Sequence, residues 1–299
     1  MENLQTEEAH DLKKKMKASS GRIKNRTAGN IVIFIFLLLL GTAMFLPIYL
    51  AVVMSIKPSQ EWFIFPPKFY AMDPTLDNYR QMFRSVGQLW VPFSRYLFNS
   101  IFVTLTVTGA QCFFSSMAAF VLAKGKFRGK KVLNSLIVIS LLYQSNVIYI
   151  VQYMVVAKLG LIDTYLALIL PNIAAPIGVF LMRQSMLQIP DSMIEAAKVD
   201  GAGMFSICWK IVMPNQKPAL MTLIIFAFQA AWNIQSGTYV FDESLKTLPA
   251  AVSQAAASGI ARQGVAMAAA VFMLIPPAIV FMITQKNVIE TMAYSGLKE

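Results

Sequence analysis

Histidine and cysteine are almost missing from this chain of 299 residues, which has His10 alone and two cysteines, Cys112 and Cys208. A disulfide framework or a Cys/His metal set needs more of both, and these two cysteines fall in segments of different polarity. No metal site is expected. The long apolar runs also lack Asp, Glu, Lys or Arg well inside them, whereas ion-coupled carriers keep an ionisable group there. There is no Gly-x-x-x-x-Gly-Lys loop to cradle nucleotide phosphates. His-Glu-x-x-His and paired carboxylates are absent from the apolar runs, so a membrane-embedded enzyme has nothing to work with and no catalytic residue is assigned.

What is present is apolar. Hydrophobic residues make up 57% of the chain and charged residues 14%, with a mean hydropathy of +0.57. That balance belongs to a bilayer rather than to water. Stretches at about 31–56, 97–123, 132–157, 165–184, 217–236 and 264–286 are long enough to cross about 30 Å of hydrocarbon as helices. The fourth carries Pro171 and Pro176 and is expected to kink. The first run is too long for a signal-peptide core and is expected to remain as a span.

The net charge of +11 is unevenly placed. Of the 26 Lys and Arg residues, 18 fall on the tail 1–30, the second-to-third and fourth-to-fifth loops and the C-terminal end. The positive-inside rule then predicts that both termini are cytoplasmic, in a multi-pass protein. The positive charge is read as this orientation signal plus attraction to anionic membrane lipid, and not as nucleic-acid binding. Residues 1–30 read as a polar tail with a short helix around Glu7 to Lys17, and 31–299 as one six-span domain. Between the first two spans, 78–86 reads as a surface helix with Asp77 as its N-cap.

One loop, 185–217, is polar yet patterned. Ser192 to Glu195 fits a Ser-x-x-Glu capping box, with Pro190 upstream. Gly201 and Gly203 break that helix. A second segment, 204–212, places Phe205, Cys208, Trp209 and Val212 at helical spacing before Pro214 and Pro218 close it.

The residues of this loop, Glu195-Ala196-Ala197, Asp200-Gly201-Ala202 and Ile211-Val212-Met213-Pro214, resemble the coupling loop of ABC importer permease subunits, most closely the carbohydrate (maltose-type) branch. Met213 stands where the family usually has leucine, a change that keeps bulk and apolarity. Thr75-Leu76-Asp77-Asn78-Tyr79, Asn99-Ser100, Trp232-Asn233 and Ser295-Gly296-Leu297-Lys298 are similar to that branch too, so the likeness runs from about Ile31 to Glu299.

The resemblance implies an all-α membrane protein with the type I importer permease fold, six transmembrane helices and cytoplasmic coupling helices, in the bacterial inner or plasma membrane. It implies two ATPase subunits, a second and different permease subunit, and an extracytoplasmic solute-binding protein. The ATPase partners use ATP and Mg; this chain holds no cofactor. Glu195, Ala196, Ala197, Asp200, Gly201, Ala202, Ile211 and Pro214 are the implied coupling residues. Small Ala196 and Ala197 would permit close approach and Gly201 the turn. Helix capping by Glu195 and plain turn chemistry at Asp200, Gly201 and Pro214 are alternative roles for the same residues.

Neutral polar and aromatic residues punctuate the spans, among them Gln111, Tyr143, Gln144, Asn146, Tyr149, Gln152, Asn172, Gln229, Trp232, Asn233 and Gln235. Amides and rings suit a neutral hydroxylated ligand, although in membrane helices they also bind neighbouring helices. Gln144, Asn146, Trp232 and Asn233 are the candidate pathway residues. An oligosaccharide is the favoured cargo; glycerol phosphate or another small solute is the alternative, and the missing cationic residues weigh against an anion. A structural scaffold would leave the patterned loop unexplained.

Overall fold

The computed structural model describes residues 27–66, 68–87, 91–142, 145–256 and 263–296. The tail, with the helix expected around Glu7 to Lys17, lies outside them. The described residues are helical, with no strand among them. In hydrocarbon every N–H and C=O must be paired within the protein, and a helix achieves this without a second chain segment.

Two compact units divide the chain at Leu50. In the first, helix α1 (Thr27–Ile56) is apolar on every side through 31–46, as a segment surrounded by lipid is. The second unit, from Ala51 onward, contains the remaining elements. Helix α2 (Asp77–Gly87) is the surface helix read from 78–86. It begins at Asp77, whose carboxylate pairs with Arg80 at 3.2 Å.

Helix α3 (Phe93–Lys124) is the element around which this unit is built. One face of it buries Asn99, Ser100, Val103, Thr104, Val107, Thr108, Gln111, Ser115 and Ser116 at steps of three and four. Small and hydroxylated side chains let backbones approach closely where lipid supplies no hydrophobic drive between helices. Against α3 pack α6 (Tyr165–Ile173), α7 (Pro176–Met186) and α10 (Lys217–Trp232). Gly178 of α7 sits at the tightest point: a Cβ there would lie 2.7 Å from Ser115 Oγ and 3.0 Å from Leu223 Cδ1.

The expected third span, 132–157, is instead two helices, α4 (Lys130–Leu142) and α5 (Ser145–Lys158), with 143–144 outside the described residues. Neither is long enough to cross alone. The fourth expected span is divided at Pro176, while Pro171 lies inside its first helix. α6 stops at Ile173 and α7 starts at Pro176, which has no N–H to continue the ladder. Helix α8 (Asp191–Val199) and helix α9 (Met204–Asn215) form the patterned loop, and α9 meets α10 at 90°. Helices α11 (Leu248–Ala256) and α12 (Gln263–Gly296) complete the chain. Among the described residues, four stretches can cross a membrane by length and composition, α6 and α7 counting together as Tyr165–Met186, or five if the bent pair α9 and α10 counts as one.

At one end of the unit a polar knot fixes the segment between α10 and α11. Buried Asn99 donates to the carbonyls of Ser244 and Lys246, both at 2.9 Å, and accepts from the Tyr165 hydroxyl at 2.8 Å. The Leu248 N–H donates to Ser100 Oγ at 2.7 Å. Asn99-Ser100, named in the sequence analysis only for its family likeness, is thus the fastening point of a segment more than 140 residues downstream.

Because Gly178 has no room for a side chain, Gly178→Val is expected to overpack the α3–α7 contact and destabilise the protein by about 1–3 kcal/mol. A lower melting temperature of the purified variant, with Gly41→Val unchanged as a control at an open position, is the measurement.

Candidate functional site

The patterned loop folds as two short helices, and its geometry follows from local chemistry. α8 starts with Pro190 as N-cap in an extended conformation (φ −61°, ψ 137°) and makes no side-chain capping bond. The capping box expected from Ser192 and Glu195 therefore does not form, because the helix begins before Ser192 could serve as its cap. Asp191 sits in the first turn and Lys198 in the last, each suiting the helix dipole.

The end of α8 is a Schellman closure. The Gly201 N–H donates to the Lys198 carbonyl and the Ala202 N–H to the Ala197 carbonyl, both at 3.0 Å. That geometry needs a residue with positive φ, and Gly201 has φ +80°. The Asp-Gly-Ala stretch is thus a helix terminator, with Gly201 as its conformational requirement.

The signature residues divide between two surfaces. Ala197 is buried, in one cluster with Ile194 of α8, Ala119, Phe120 and Ala123 of α3, Met182 and Met186 of α7, and Ile207, Cys208, Val212 and Met213 of α9. Ala202 and Ile211 are half-buried against that cluster. Glu195, Ala196, Asp200, Gly201 and Pro214 are exposed. Glu195 makes no side-chain hydrogen bond or ion pair among the described residues. Val199, which is 88% exposed, Met193, Met204 and Phe205 of the same loop are also exposed. An acidic side chain and several apolar ones are thus exposed on the loop and take no part in the core.

α9 differs from the simple helix its spacing suggests. Residues Ile207–Val212 form a π-helix, and the Met213 N–H reaches back five residues to the Cys208 carbonyl. Pro214, lacking an N–H, cannot take part in that ladder. The extra residue per turn shifts the buried face: Ile207, Cys208, Val212 and Met213 point inward while Phe205 is exposed. Trp209 stacks on Phe113 of α3 with ring centroids 5.4 Å apart.

Sequence reasoning missed the pair that ties α8 to α3. The Lys124 ammonium donates to the Ile189 carbonyl at 2.5 Å and to Asp191 Oδ1 at 2.8 Å. These partners lie more than 60 residues apart, and no local pattern signals them.

A cavity of about 760 Å³ lies among α3, α5, the α6–α7 break and α10. Its polar lining is Gln111, Ser140, Gln152 and Asn172, and no ionisable residue lines it. Gln111 and Gln152 make no side-chain hydrogen bonds among the described residues, and the Asn172 amide donates to the Leu168 carbonyl at 2.8 Å. Of the pathway candidates, Gln144 lies outside the described residues, and Asn146 is described only as backbone of α5. Trp232 is buried and its indole N–H donates to the Met273 carbonyl at 3.0 Å. Asn233 is exposed and donates to the Gln229 carbonyl at 2.8 Å. Neither Trp232 nor Asn233 lines the cavity.

Two tests follow from this geometry. Gly201→Ala places a side chain at positive φ and is expected to destabilise by about 1–2 kcal/mol, read as a lower melting temperature, with Gly201→Asn milder. The Lys124 hydrogen bond, with its charge, holds the Asp191 carboxyl below its ordinary value of 3.8. A depressed folded value means that the stabilisation is complete above the ordinary value and is lost as pH falls through the lower one. The melting difference between wild type and Asp191→Asn should therefore be constant from about pH 8 to about pH 5 and close only in stronger acid.

The chain is similar along nearly its whole length to known transport proteins. It is 29% identical over 273 residues to the arabinooligosaccharides transport system permease protein AraQ of Bacillus subtilis, covering 90% of this chain and 95% of that one. It is equally 29% identical, over 269 residues, to the sn-glycerol-3-phosphate transport system permease protein UgpE of Yersinia enterocolitica, covering 88% and 96%. The fold matches a chain in the crystal structure of a bacterial ABC transporter involved in the import of the acidic polysaccharide alginate, with a TM-score of 0.74 at 22% identity, over 88% of this chain and 97% of that one. The family described as binding-protein-dependent transport system inner membrane component matches residues 112–294, a span that contains the divided loop, the α6–α7 break and nearly all of α12. With more than half of the chain matched, this membrane-embedded protein belongs to the binding-protein-dependent transport system inner membrane components, the permease subunits of ABC importers.

Proposed function

We propose that this chain is the permease subunit of an ATP-driven importer of carbohydrate, with an oligosaccharide as cargo, and that the outer surface of α8 is where a separate ATPase docks. The observation that carries the docking reading is the division of the signature residues. Ala197, Ala202 and Ile211 hold the loop to the bundle, whereas Glu195, Ala196 and Asp200 are exposed with no internal role that requires them. Docked there, an ATPase dimer closing on ATP would carry α8 with it and switch the spans between inward- and outward-facing states.

Six spans, with α4 and α5 together as the third and both termini cytoplasmic, complete the proposed topology. Two ATPase subunits, a second permease and an extracytoplasmic solute-binding protein complete the proposed complex, in which ATP and Mg belong to the ATPase. Catalysis of hydrolysis is assigned to those partners and not to this chain.

Carbohydrate is favoured over glycerol phosphate by the cavity rather than by the relatives, since both kinds of cargo appear among equally similar proteins. A phosphate would call for Arg or Lys, and the cavity offers amides and a hydroxyl instead. Gln111 and Gln152 each present a donor and an acceptor to vicinal hydroxyls. The pathway is therefore assigned to Gln111, Gln152 and Asn172 in preference to Trp232 and Asn233.

Purification of the tagged chain from its native membrane should bring down an ATPase and a second permease in stoichiometric amounts, identified by mass spectrometry. The chain alone, from membranes where control complexes stay intact, would overturn the importer reading. Glu195→Lys should abolish uptake while assembly persists. Gln111→Leu should raise the KM of uptake about three- to tenfold, the weight of one hydrogen bond, with glucoside- or arabinoside-type oligomers as the probe series.

A further inference from the structure

The docking reading leaves open how a push on α8 reaches the spans, and three features of the loop bear on this. On its downstream side the loop is joined to α10 through an elbow. α9 contains the π-segment Ile207–Val212 and meets α10 at 90°, so displacement along one helix has little component along the other. On its upstream side α8 follows α7 through only residues 187–190, closed by turns in which Leu187, Gln188 and Ile189 donate to Arg183, Ser185 and Met186.

Lys124 sits at that closed side. Its side chain is 7% exposed, and its ammonium bonds the last turn residue before α8, Ile189, and the first residue of α8, Asp191. Being the final residue of α3, it connects the start of α8 to the end of the central helix. The end of α3 does not depend on Lys124 for its own capping, because Lys130 donates to the Ala123 and Gly125 carbonyls, both at 3.0 Å. Beneath the polar link, Ile194 and Ala197 pack on Ala119, Phe120 and Ala123 of the same helix.

From this geometry we infer that Lys124 is the positioning residue that locks α8 to α3, so that the two move as one body and the ATPase stroke enters the membrane domain through α3. The polar clasp resists sliding of α8 along α3, which the apolar contact alone, being non-directional, does not. α10 follows through its packing on α3 and not through its chain connection to α9.

This inference rests on the docking reading, and its test separates the two. The full complex, purified with its native partners and with Cys112→Ala and Cys208→Ala, is reconstituted in proteoliposomes. A cysteine introduced by Ala196→Cys should cross-link to the ATPase; no cross-link in an active complex would sink the docking reading itself. Given the cross-link, Lys124→Gln should keep assembly and ATP hydrolysis within about twofold of wild type while uptake per ATP falls about tenfold, and Lys124→Arg should restore most of it. Coupled uptake by Lys124→Gln at the wild-type ratio would overturn the inference.

A second measurement does not require that variant to fold. Spin labels at exposed Val121 and Val199 should keep their distance between the nucleotide-free and ATP-trapped states. A change of several ångströms in the Val121–Val199 distance would equally overturn it.

Discussion

The second unit of this molecule depends on how closely α3 is approached by its neighbours. Lipid supplies no hydrophobic drive between helices, so cohesion has to come from contact area and from polar groups that meet no better partner in hydrocarbon. α3 supplies both along one face, with Ser, Thr, Asn and Gln interleaved with Val and Ala. α7 meets that face where Gly178 removes the side chain that would hold it off. The cavity, the loop cluster and the polar knot at Asn99 all lie along this same helix, at its middle and at its two ends.

The fold was legible in the sequence to the extent that apolar length and charge placement determine it. The runs that became α1, α3 and α12 stand where hydropathy puts them, and Pro176 of the fourth run marks the α6–α7 break. The third run corresponds to two described helices, α4 and α5, and no proline or glycine in it announced that division. In the loop, Gly201 announced its turn correctly because a Schellman closure is local chemistry. Ser192 and Glu195 matched a capping pattern that the structure does not use, since Pro190 already sets the N-cap one residue before Asp191.

The sequence was least informative where partners are distant along the chain. Nothing near Lys124 points to Asp191, and nothing near Asn99 points to Ser244. Trp232 and Asn233 drew attention as polar residues at a helix end, yet one donates to α12 and the other to its own helix. Gln111 and Gln152, read only as members of a longer polar set, are brought to one cavity by the packing of α3 and α5. Residue type said which groups could bind a hydroxylated ligand; tertiary structure decided which remain free to do so.

The division of the loop signature also bears on how such a protein changes over generations. A residue committed to the cluster, such as Ala197, is buried among side chains of its own chain and is constrained by their packing. Glu195, Ala196 and Asp200 have no such obligations, so substitutions there leave the bundle intact and are screened only by what meets that surface. With the proposed docking, the same fold can be refitted to a different motor by a few outward changes, leaving the proposed cargo cavity, at the middle of α3, to drift independently.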